Sequence, residues 1–371
     1  MDFEGQTIWL EINLGAIRRN IQRIHLHTQR PVMAVVKANA YGHGLLEVSR
    51  AAGRAGASML CVARIEEALK LRQAEIKTPI LVMGYTAPNR VAEAAYLDIS
   101  LMVNTPELAE DYNAVMKKLK GQIAVHAKID TGMGRLGVLP EEGCSFGHHI
   151  SKLDGLLFEG LFTHFASADD PKKGTTSGQI QKFDQVIEGL KTEGIRPRII
   201  HAANSAASIY FPGAWYDAVR PGISIYGLHP SAAAPLPLEF EPALTWKCRL
   251  SSVRALPPGS GIGYNHRYVT TKSERIGAVS AGYADGLRRR PNNTALIGGK
   301  RVKQAGVICM DQSMWLLEKN TAAKAGDEVV LLGRQGDQTI TAEELGRMWN
   351  TINYEVVCGL ASRIPRFYID E

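Results

Sequence analysis

Short apolar runs alternate with longer amphipathic stretches between about Pro31 and Leu228. Runs rich in valine and isoleucine predict buried strands, and the stretches between them have the periodicity of helices. Strands that alternate with helices pair in parallel, because each crossover returns the chain to the same end of the sheet. The strands we predict lie at residues 33–39, 58–63, 79–84, 99–103, 122–130, 156–165, 198–203 and 217–227.

The helices predicted between these strands include residues 64–75, 106–120 and 177–193. Thr105 before Pro106 is a typical helix start, and Asn89 precedes another helical run. Eight β/α repeats in about 200 residues fit a (β/α)8 barrel slightly below the usual size. A doubly wound open sheet is the alternative that counting strands leaves open.

The pattern changes near Pro230, where residues 229–243 are rich in alanine and proline and are typical of a linker. Short alternating stretches with turn signals follow, and they predict a mainly β domain. The opening strand, residues 8–13, has no barrel partner before it, so we expect it to pair with that second domain. The predicted domains are therefore a barrel at residues 12–238 and a β-rich domain at 239–371 together with residues 1–11.

Composition narrows the possible partners and compartments. The 371 residues are 45% apolar and 22% charged with a net charge of +6, which is ordinary for a globular protein. The only notable basic cluster is Arg288–Arg290, so a nucleic-acid partner is disfavoured. No secretory signal and no apolar run of the ~18 residues that a membrane span needs is visible. Five widely spaced cysteines disfavour a disulfide framework or a metal site, and we expect a cytoplasmic protein.

Polar residues recur where predicted strands end, which is where parallel barrels place their functional groups. The first strand carries Lys37 near its end, and a glycine-spaced loop that contains Tyr41 follows. A desolvated lysine has a lowered pKa and attacks carbonyl groups, which is how pyridoxal phosphate is held. The alternative is a lysine that only covers the strand edge while its amine reaches solvent.

Later strand ends add groups suited to an anionic ligand. The fifth carries Lys128 near its end and is followed by Arg135, a possible donor to an anionic oxygen. The sixth carries His164 near its end, for which a structural role is the alternative. Asn204 and Ser205 lie at a helix start, a natural phosphate seat. The eighth strand contains Arg220, and the backbone N–H groups of Gly222 and Ile223 just after it are available to the same phosphate.

Eight ordered blocks of the sequence resemble the alanine racemase family along nearly the whole chain. One such block would be weak evidence, whereas ordered blocks across both predicted domains are specific. The blocks are AVVKANAYGHG (34–44), KIDTGMGRLG (128–137), THFASAD (163–169), HAANSAAS (201–208), VRPGISIYG (219–227), GYADG (282–286), CMDQ (309–312) and TINYEV (351–356).

This resemblance implies a (β/α)8 TIM-type barrel followed by a mainly β domain. It implies a racemase that depends on pyridoxal 5'-phosphate, interconverts L- and D-alanine and supplies D-alanine for peptidoglycan. It also implies a homodimer whose sites are shared across the interface. The alternatives are a serine or broader-specificity racemase, a decarboxylase on the same barrel, and a non-catalytic carrier of the cofactor.

The resemblance also implies roles for single residues. Lys37 would hold the cofactor covalently, Arg220 would face its ring nitrogen, and His164 would bridge Arg220 to Tyr264, the second base, which the partner subunit supplies. Lys128 matches a lysine that is carbamylated in some members and would brace Arg135. The phosphate would be held by Tyr41, Asn204, Ser205, Gly222, Ile223 and Tyr354; the substrate carboxylate by Arg135 and the backbone of Met310; Tyr283, Arg289 and Asp311 would shape the wall and the substrate corridor.

The chemistry of racemisation agrees with these implied roles. A proton must leave one face of Cα and return on the other, so bases on opposite faces are needed, here Lys37 and Tyr264. A free tyrosine has a pKa of about 10, so Tyr264 needs nearby cations such as His164 and Arg220 to act as a base. Arginine has donors only and stays charged, so Arg220 disfavours protonation of the ring nitrogen and weakens the cofactor as an electron sink.

Overall fold

The chain was analysed as a computed structural model that describes residue 3 and residues 5–237 and 239–371. It divides into two compact units. The first comprises Gly15–Ala40 and Gly44–Glu241, and the second comprises Tyr41–His43, Pro242–Glu371 and the described part of Met1–Leu14. The predicted boundary at residues 238–239 falls on Leu238, which lies outside the described residues, so that boundary stays a prediction.

The first unit is built on a sheet of seven parallel strands in which each strand pairs with the next along the chain. Its strands are apolar runs because parallel strands are covered on both faces. All five residues of the strand at 99–103 are buried. The strands are β2 (Met33–Val35), β3 (Met59–Val62), β4 (Ile80–Val82), β5 (Ile99–Val103), β6 (Ile123–Lys128), β7 (Leu156–Phe162) and β8 (Ile199–His201).

The predicted eighth strand at residues 217–227 is wrong in extent. Only Ala218 and Val219 form parallel bridges, to His201 of β8 and to Val32 beside β2. Pro221 has no N–H group to continue the ladder, and a 3-10 turn follows at Ile223–Tyr226. The short bridging segment nevertheless joins both edges of the sheet, so the barrel closes.

Helices cover the outside of this sheet. Thr105 caps α6 as predicted, since its hydroxyl accepts the N–H of Leu108 at 3.2 Å. Asn89 is not a cap, because it lies inside a 3-10 turn and the next helix starts after Arg90. The helical segments are α1 (Leu14–Thr28), α2 (Lys37–Tyr41), α3 (Leu45–Arg54), α4 (Ile65–Gln73), α5 (Val91–Tyr96), α6 (Pro106–Leu119), α7 (Pro140–Ser151), α8 (Thr175–Thr192) and α9 (Ser205–Tyr210).

The second unit is a nine-stranded sheet in the order β17-β16-β13-β14-β15-β12-β9-β1-β18, with a further β16–β9 pairing that closes part of it into a barrel. Its strands and helices are β1 (Ile8–Asn13), β9 (Leu244–Leu256), β10 (Gly261–Ile262), β11 (Tyr268–Val269), β12 (Glu274–Val279), β13 (Thr294–Ile297), β14 (Lys300–Gln304), β15 (Ser313–Leu317), β16 (Glu328–Gln335), β17 (Gln338–Ile340), β18 (Arg366–Ile369), α10 (Ala342–Trp349) and α11 (Asn353–Cys358). Strands β10 and β11 form a separate hairpin.

The opening strand β1 pairs with the second unit, which confirms the expectation from its lack of a barrel partner. It lies antiparallel to β9 and parallel to β18. Leu10 opposes Trp246 in this pairing, and both side chains are fully buried. None of the helices in the described ranges is long and apolar enough to cross a bilayer.

Candidate active site

The carboxyl ends of the parallel strands bring most of the barrel's predicted site residues to one edge of the sheet. Lys37 follows β2, Lys128 ends β6, and His164 follows β7. Asn204 and Ser205 follow β8, at the first turn of α9. Because all the strands run in the same direction, their ends meet on one side of the barrel.

Lys37 opens a turn of unusual handedness. Ala38, Asn39 and Ala40 have φ angles of 54°, 54° and 53° with ψ angles of 52°, 45° and 52°, so α2 is a left-handed turn made without glycine. This conformation costs roughly 1–2 kcal/mol per residue. Glu67 accepts the N–H of Ala38 at 2.6 Å, and the Asn39 carboxamide oxygen accepts that of Leu45 at 2.8 Å. Hydrogen bonds to nearby segments of the same chain therefore hold the turn after Lys37 in its strained conformation.

Arg220 is a buried cation, since the residue is only 3% exposed. Its Nη2 donates to the carbonyls of Thr163 and Ala202 at 2.7 and 3.0 Å, and its Nη1 donates to His201 Nδ1 at 2.7 Å. Burial lowers the pKa of Arg220 to about 10. Within the described ranges, no carboxylate forms an ion pair with Arg220, and its hydrogen-bond acceptors are two carbonyls and one imidazole.

Phe162 lies beside the side chains of Arg220 and Lys128. The Arg220 guanidinium carbon and the Lys128 Nζ lie 5.3 and 5.6 Å from its ring centroid. The His201 ring stacks on the same phenyl group, with an angle of 2° between the planes. The negative face of an aromatic ring attracts cations, so Phe162 stabilises part of this positive charge.

Lys128 is 4% exposed, and its ammonium donates to the Ile129 carbonyl at 2.8 Å. Burial first, and then the charge of Arg220, lower its pKa to about 7. The nearby Asp130 carboxylate is already occupied by the backbone N–H groups of residues 132–135. Lys128 is thus a partly neutral amine at neutral pH, in surroundings that favour a negative charge.

An acceptor-and-donor cluster lies where the phosphate was predicted. Ser205 Oγ accepts the backbone N–H groups of Gly222 at 2.8 Å and Ser224 at 3.2 Å. Asn204 caps α9 by accepting the N–H of Ala207 at 3.0 Å. The buried hydroxyl of Ser224 has no hydrogen-bond partner within the described part of the chain. Converging N–H groups beside an unsatisfied hydroxyl are suited to a phosphate group.

His164 does not bridge to Arg220 in this structure, since the imidazole that contacts Arg220 belongs to His201. Burial and the surrounding cations, Arg220 first, lower the pKa of His164 well below its usual value. Sequence reasoning missed His126, Glu159 and His201 as members of the site. A histidine and a glutamate inside strands predicted to be buried were the available signal, because buried polar groups need partners.

In the second unit, the GYADG and CMDQ blocks are joined by backbone hydrogen bonds. Tyr283 N–H donates to the carbonyl of Cys309, and Ala284 N–H donates to that of Met310, both at 3.0 Å. Arg363 donates to Asp285 and Asp311, in each case at 2.7 Å. These contacts hold Tyr283, Met310 and Asp311 in one cluster.

The remaining predicted residues of this unit lie on its surface or beside one another. Tyr264 opens a 3-10 turn and is 67% exposed, and Met310 is 54% exposed. Arg289 is also exposed, on the loop that follows Asp285. The rings of Tyr41 and Tyr354 lie 6.2 Å apart between their centroids.

Comparison with known proteins decides the family. The model of the alanine racemase N-terminal domain matches residues 12–230, and that of the C-terminal domain matches residues 243–368. The chain belongs to the alanine racemase family. Alanine racemases are isomerases that act on amino acids and depend on pyridoxal 5'-phosphate.

Relatives match over almost their full length. An alanine racemase from Symbiobacterium thermophilum is 42% identical, with 99% of both chains covered. A solved alanine racemase of Clostridium difficile 630 has a TM-score of 0.94 at 36% identity, covering 99% of this chain and 97% of its own. One from Bacillus anthracis, solved with bound L-Ala-P, has a TM-score of 0.93 at 37% identity and covers 99% and 96%.

A relative of different specificity shares the fold. A histidine racemase from Leuconostoc mesenteroides subsp. sake has a TM-score of 0.91 at 29% identity, with 99% of each chain covered. The family fold therefore carries more than one substrate specificity, and the choice of amino acid depends on the side chains of the site.

The strained turn after Lys37 generates a prediction with a built-in control. Replacing Ala38 by glycine removes the Cβ that opposes a positive φ angle, so Ala38→Gly should raise stability by up to about 1 kcal/mol. Ala114, exposed in the ordinary helix α6, should respond in the opposite way, with Ala114→Gly lowering stability by about 1 kcal/mol. Urea unfolding of the two variants measures both changes, and a loss of stability in both would contradict the strain.

Proposed function

We propose that this chain interconverts L- and D-alanine with pyridoxal 5'-phosphate, with Lys37 and Tyr264 as the two bases. Lys37 holds the cofactor covalently and moves the proton on one face of Cα. Tyr264 of a partner subunit moves the proton on the other face. The bound cofactor supplies an electron sink that acidifies the Cα proton.

The observation that carries this proposal is the buried, carboxylate-free setting of Arg220. Arg220 would offer the cofactor's ring nitrogen a permanent donor, which would disfavour protonation of that nitrogen and so keep the electron sink weak. A weak sink suits racemisation, where the proton returns quickly to carbon. It does not suit decarboxylation, which needs a stronger sink. Three of the five N–H bonds of Arg220 are used inside the barrel, which leaves donors for the cofactor.

The remaining proposed roles are those that the resemblance to the alanine racemase family implies. In the proposed site, Ser205 and Asn204 with the N–H groups of Gly222 and Ile223 hold the phosphate, assisted by the phenols of Tyr41 and Tyr354. Arg135 and the backbone of Met310 bind the substrate carboxylate. The supporting residues are Lys128, His164, Tyr283, Arg289 and Asp311.

We propose the homodimer from the family resemblance, and the exposure of Tyr264 supports it. This phenol projects from the second unit and is 67% exposed, so a second copy of the chain can receive it. A two-fold interface would then generate two equivalent sites, each with Lys37 from one chain and Tyr264 from the other. We further propose that the enzyme works in the cytoplasm and supplies D-alanine for peptidoglycan.

The first test is a racemase assay of the purified, cofactor-loaded protein with L-alanine, D-alanine, L-serine and L-histidine, followed by chiral chromatography. Alanine should be converted in both directions, with at least tenfold higher kcat/KM than serine or histidine. Lys37→Ala should be inactive, since it lacks both the attachment point and one base. Faster turnover of serine or histidine would assign a different racemase, and no turnover with spectrally verified cofactor would support a carrier instead.

A second test addresses the shared site. Lys37→Ala and Tyr264→Phe are each expected to be inactive as homodimers. Co-expression in equal amounts should make about half the dimers mixed, each with one intact site of two, so activity should recover to roughly a quarter of wild type. The mixed dimers can be isolated with two different tags. If both bases belong to the same chain, these dimers will be as inactive as the parents, and that result would reject the shared site.

Lys128 generates a third prediction. Its neutral amine should add carbon dioxide to form a carbamate and release a proton, because the new anion lies among the cations Arg220 and Arg135. Carbamate occupancy should fall as the pH drops below about 7, where the amine, whose pKa is about 7, becomes protonated. Carbon-13 NMR in labelled bicarbonate measures it, with Lys128→Met as the control. A spectrum identical to that of the control at pH 8 would exclude the modification.

A further inference from the structure

A chain of buried side chains runs from Arg220 through the barrel interior. Arg220 Nη1 contacts His201 Nδ1 at 2.7 Å, His201 Nε2 contacts His126 Nδ1 at 2.8 Å, and His126 Nε2 contacts Glu159 Oε2 at 3.1 Å. The two histidines are fully buried, and Glu159 is 8% exposed. Neighbouring strands β6, β7 and β8 supply the three residues beyond Arg220. Neither His126 nor Glu159 takes part directly in the proposed reaction.

A glycine in β7 leaves room for the His126 imidazole in this line of hydrogen-bonded side chains. Residue 160 lies opposite His126 in the β6–β7 register. A Cβ atom at Gly160 would lie 2.1 Å from His126 Nδ1, the atom that contacts His201. Any side chain at this position would therefore displace the imidazole from the chain of hydrogen bonds.

The hydrogen-bonded line of side chains that begins at Arg220 ends at Glu159, an ionised carboxylate. The hydrogen bond from His126, with a further one from Ser100 at 2.8 Å, lowers the pKa of Glu159 to about 2. Arg198 donates to the other carboxylate oxygen. An ionised carboxylate accepts hydrogen bonds and donates none. Glu159 thus requires that His126 present an N–H group at Nε2.

The two ends together determine where each proton lies. Arginine only donates, so His201 Nδ1 must accept and its proton lies on Nε2. That N–H donates to His126 Nδ1, which leaves the His126 proton on Nε2, where Glu159 needs it. Burial lowers the pKa of both histidines, so each carries one ring proton. The three hydrogen bonds between Arg220 and Glu159 therefore all run in one direction, with each N–H group pointing away from Arg220.

The opposite polarity would be costly. If His201 carried its proton on Nδ1, an N–H group would face the Arg220 N–H at 2.7 Å, and both donors would lack an acceptor in a buried site. A buried unsatisfied donor costs about 1–3 kcal/mol, and more for a charged group. The carboxylate at the far end selects against that arrangement.

We propose that Glu159 is a positioning residue for Arg220, acting through His126 and His201. Its carboxylate keeps both imidazoles in the Nε2–H tautomer, which presents a lone pair to Arg220 and orients the guanidinium toward the site. The effect on catalysis rests on the proposed racemase function. The tautomers themselves do not, since they follow from the hydrogen-bond geometry of the barrel.

Three variants separate the role of Glu159 as a hydrogen-bond acceptor from the role of its negative charge. Glu159→Leu removes the acceptor, whereas Glu159→Gln keeps an amide oxygen for His126 and removes the charge. Glu241→Gln is the control, because this carboxylate of the same unit is also paired with arginines, Arg19 and Arg23. These hydrogen bonds, that from Arg19 first, lower the pKa of Glu241 to about 2 as well. Among the described residues, no hydrogen bond links Glu241 to His126 or His201.

The first measurement is nitrogen-15 NMR of the histidine side chains in the cofactor-loaded enzyme. Wild type should show both His126 and His201 as neutral Nε2–H imidazoles, which His126→Gln and His201→Gln assign. Glu159→Gln and Glu241→Gln should keep these tautomers, and Glu159→Leu should lose or mix them. A His201 protonated at Nδ1 in wild type overturns the proposal even if no variant folds.

The second measurement follows the cofactor absorption spectrum and alanine turnover. Glu159→Leu should shift the spectrum and lower kcat by about tenfold to 100-fold, the usual loss when the partner that orients a site group is removed. Its KM should change less than threefold, and Glu159→Gln should retain kcat within about threefold. Equal losses in the Gln and Leu variants, or wild-type tautomers and kcat in Glu159→Leu, overturn the proposal. A wild-type enzyme inactive on alanine would instead count against the proposed function.

Discussion

A permanent positive charge inside the barrel is the constraint on which the rest of the site depends. Arg220 is 3% exposed and has no carboxylate partner in the described part of the chain. Burying an ion costs several kcal/mol unless hydrogen bonds compensate for the lost water. The barrel supplies those bonds from the ends of β7 and β8, through two carbonyls and one imidazole. Neighbouring strands must therefore keep their order and register for this charge to remain in place.

The same constraint explains the polar residues in otherwise apolar strands. His201 can accept from Arg220 only if its own proton is accepted elsewhere, and His126 and Glu159 provide that path. A partly satisfied buried network is worse than an apolar core, whereas a complete one favours a single arrangement. Ser100 and Arg198 complete this network at its outer end. The barrel interior thus combines apolar packing with a line of ordered protons.

Local strain at the site is offset by the surrounding structure. Left-handed residues such as Ala38 and Ala40 are unfavourable in isolation, and they persist only where neighbours over-determine the backbone. Glu67, at the start of α4, accepts from Ala38 and also from the N–H of Ala63 at 2.9 Å. One carboxylate therefore joins the turn after Lys37 to the end of β3. This link connects the position of Lys37 to the packing of the sheet.

Apart from the barrel class, which the family resemblance implied, the sequence by itself determined the order of strands and helices and placed Lys37, Ser205 and Arg220 at or near strand ends. These features depend on short-range patterns, namely apolar runs, helix starts and the residue that follows each strand. The tertiary structure decided that His201 rather than His164 contacts Arg220. It also placed His126 next to His201, which is 75 residues away along the sequence. It also reduced the eighth strand to two bridges and made the turn after Lys37 left-handed. Such features depend on contacts between distant segments, and local propensity carries no record of which buried donor will meet which acceptor.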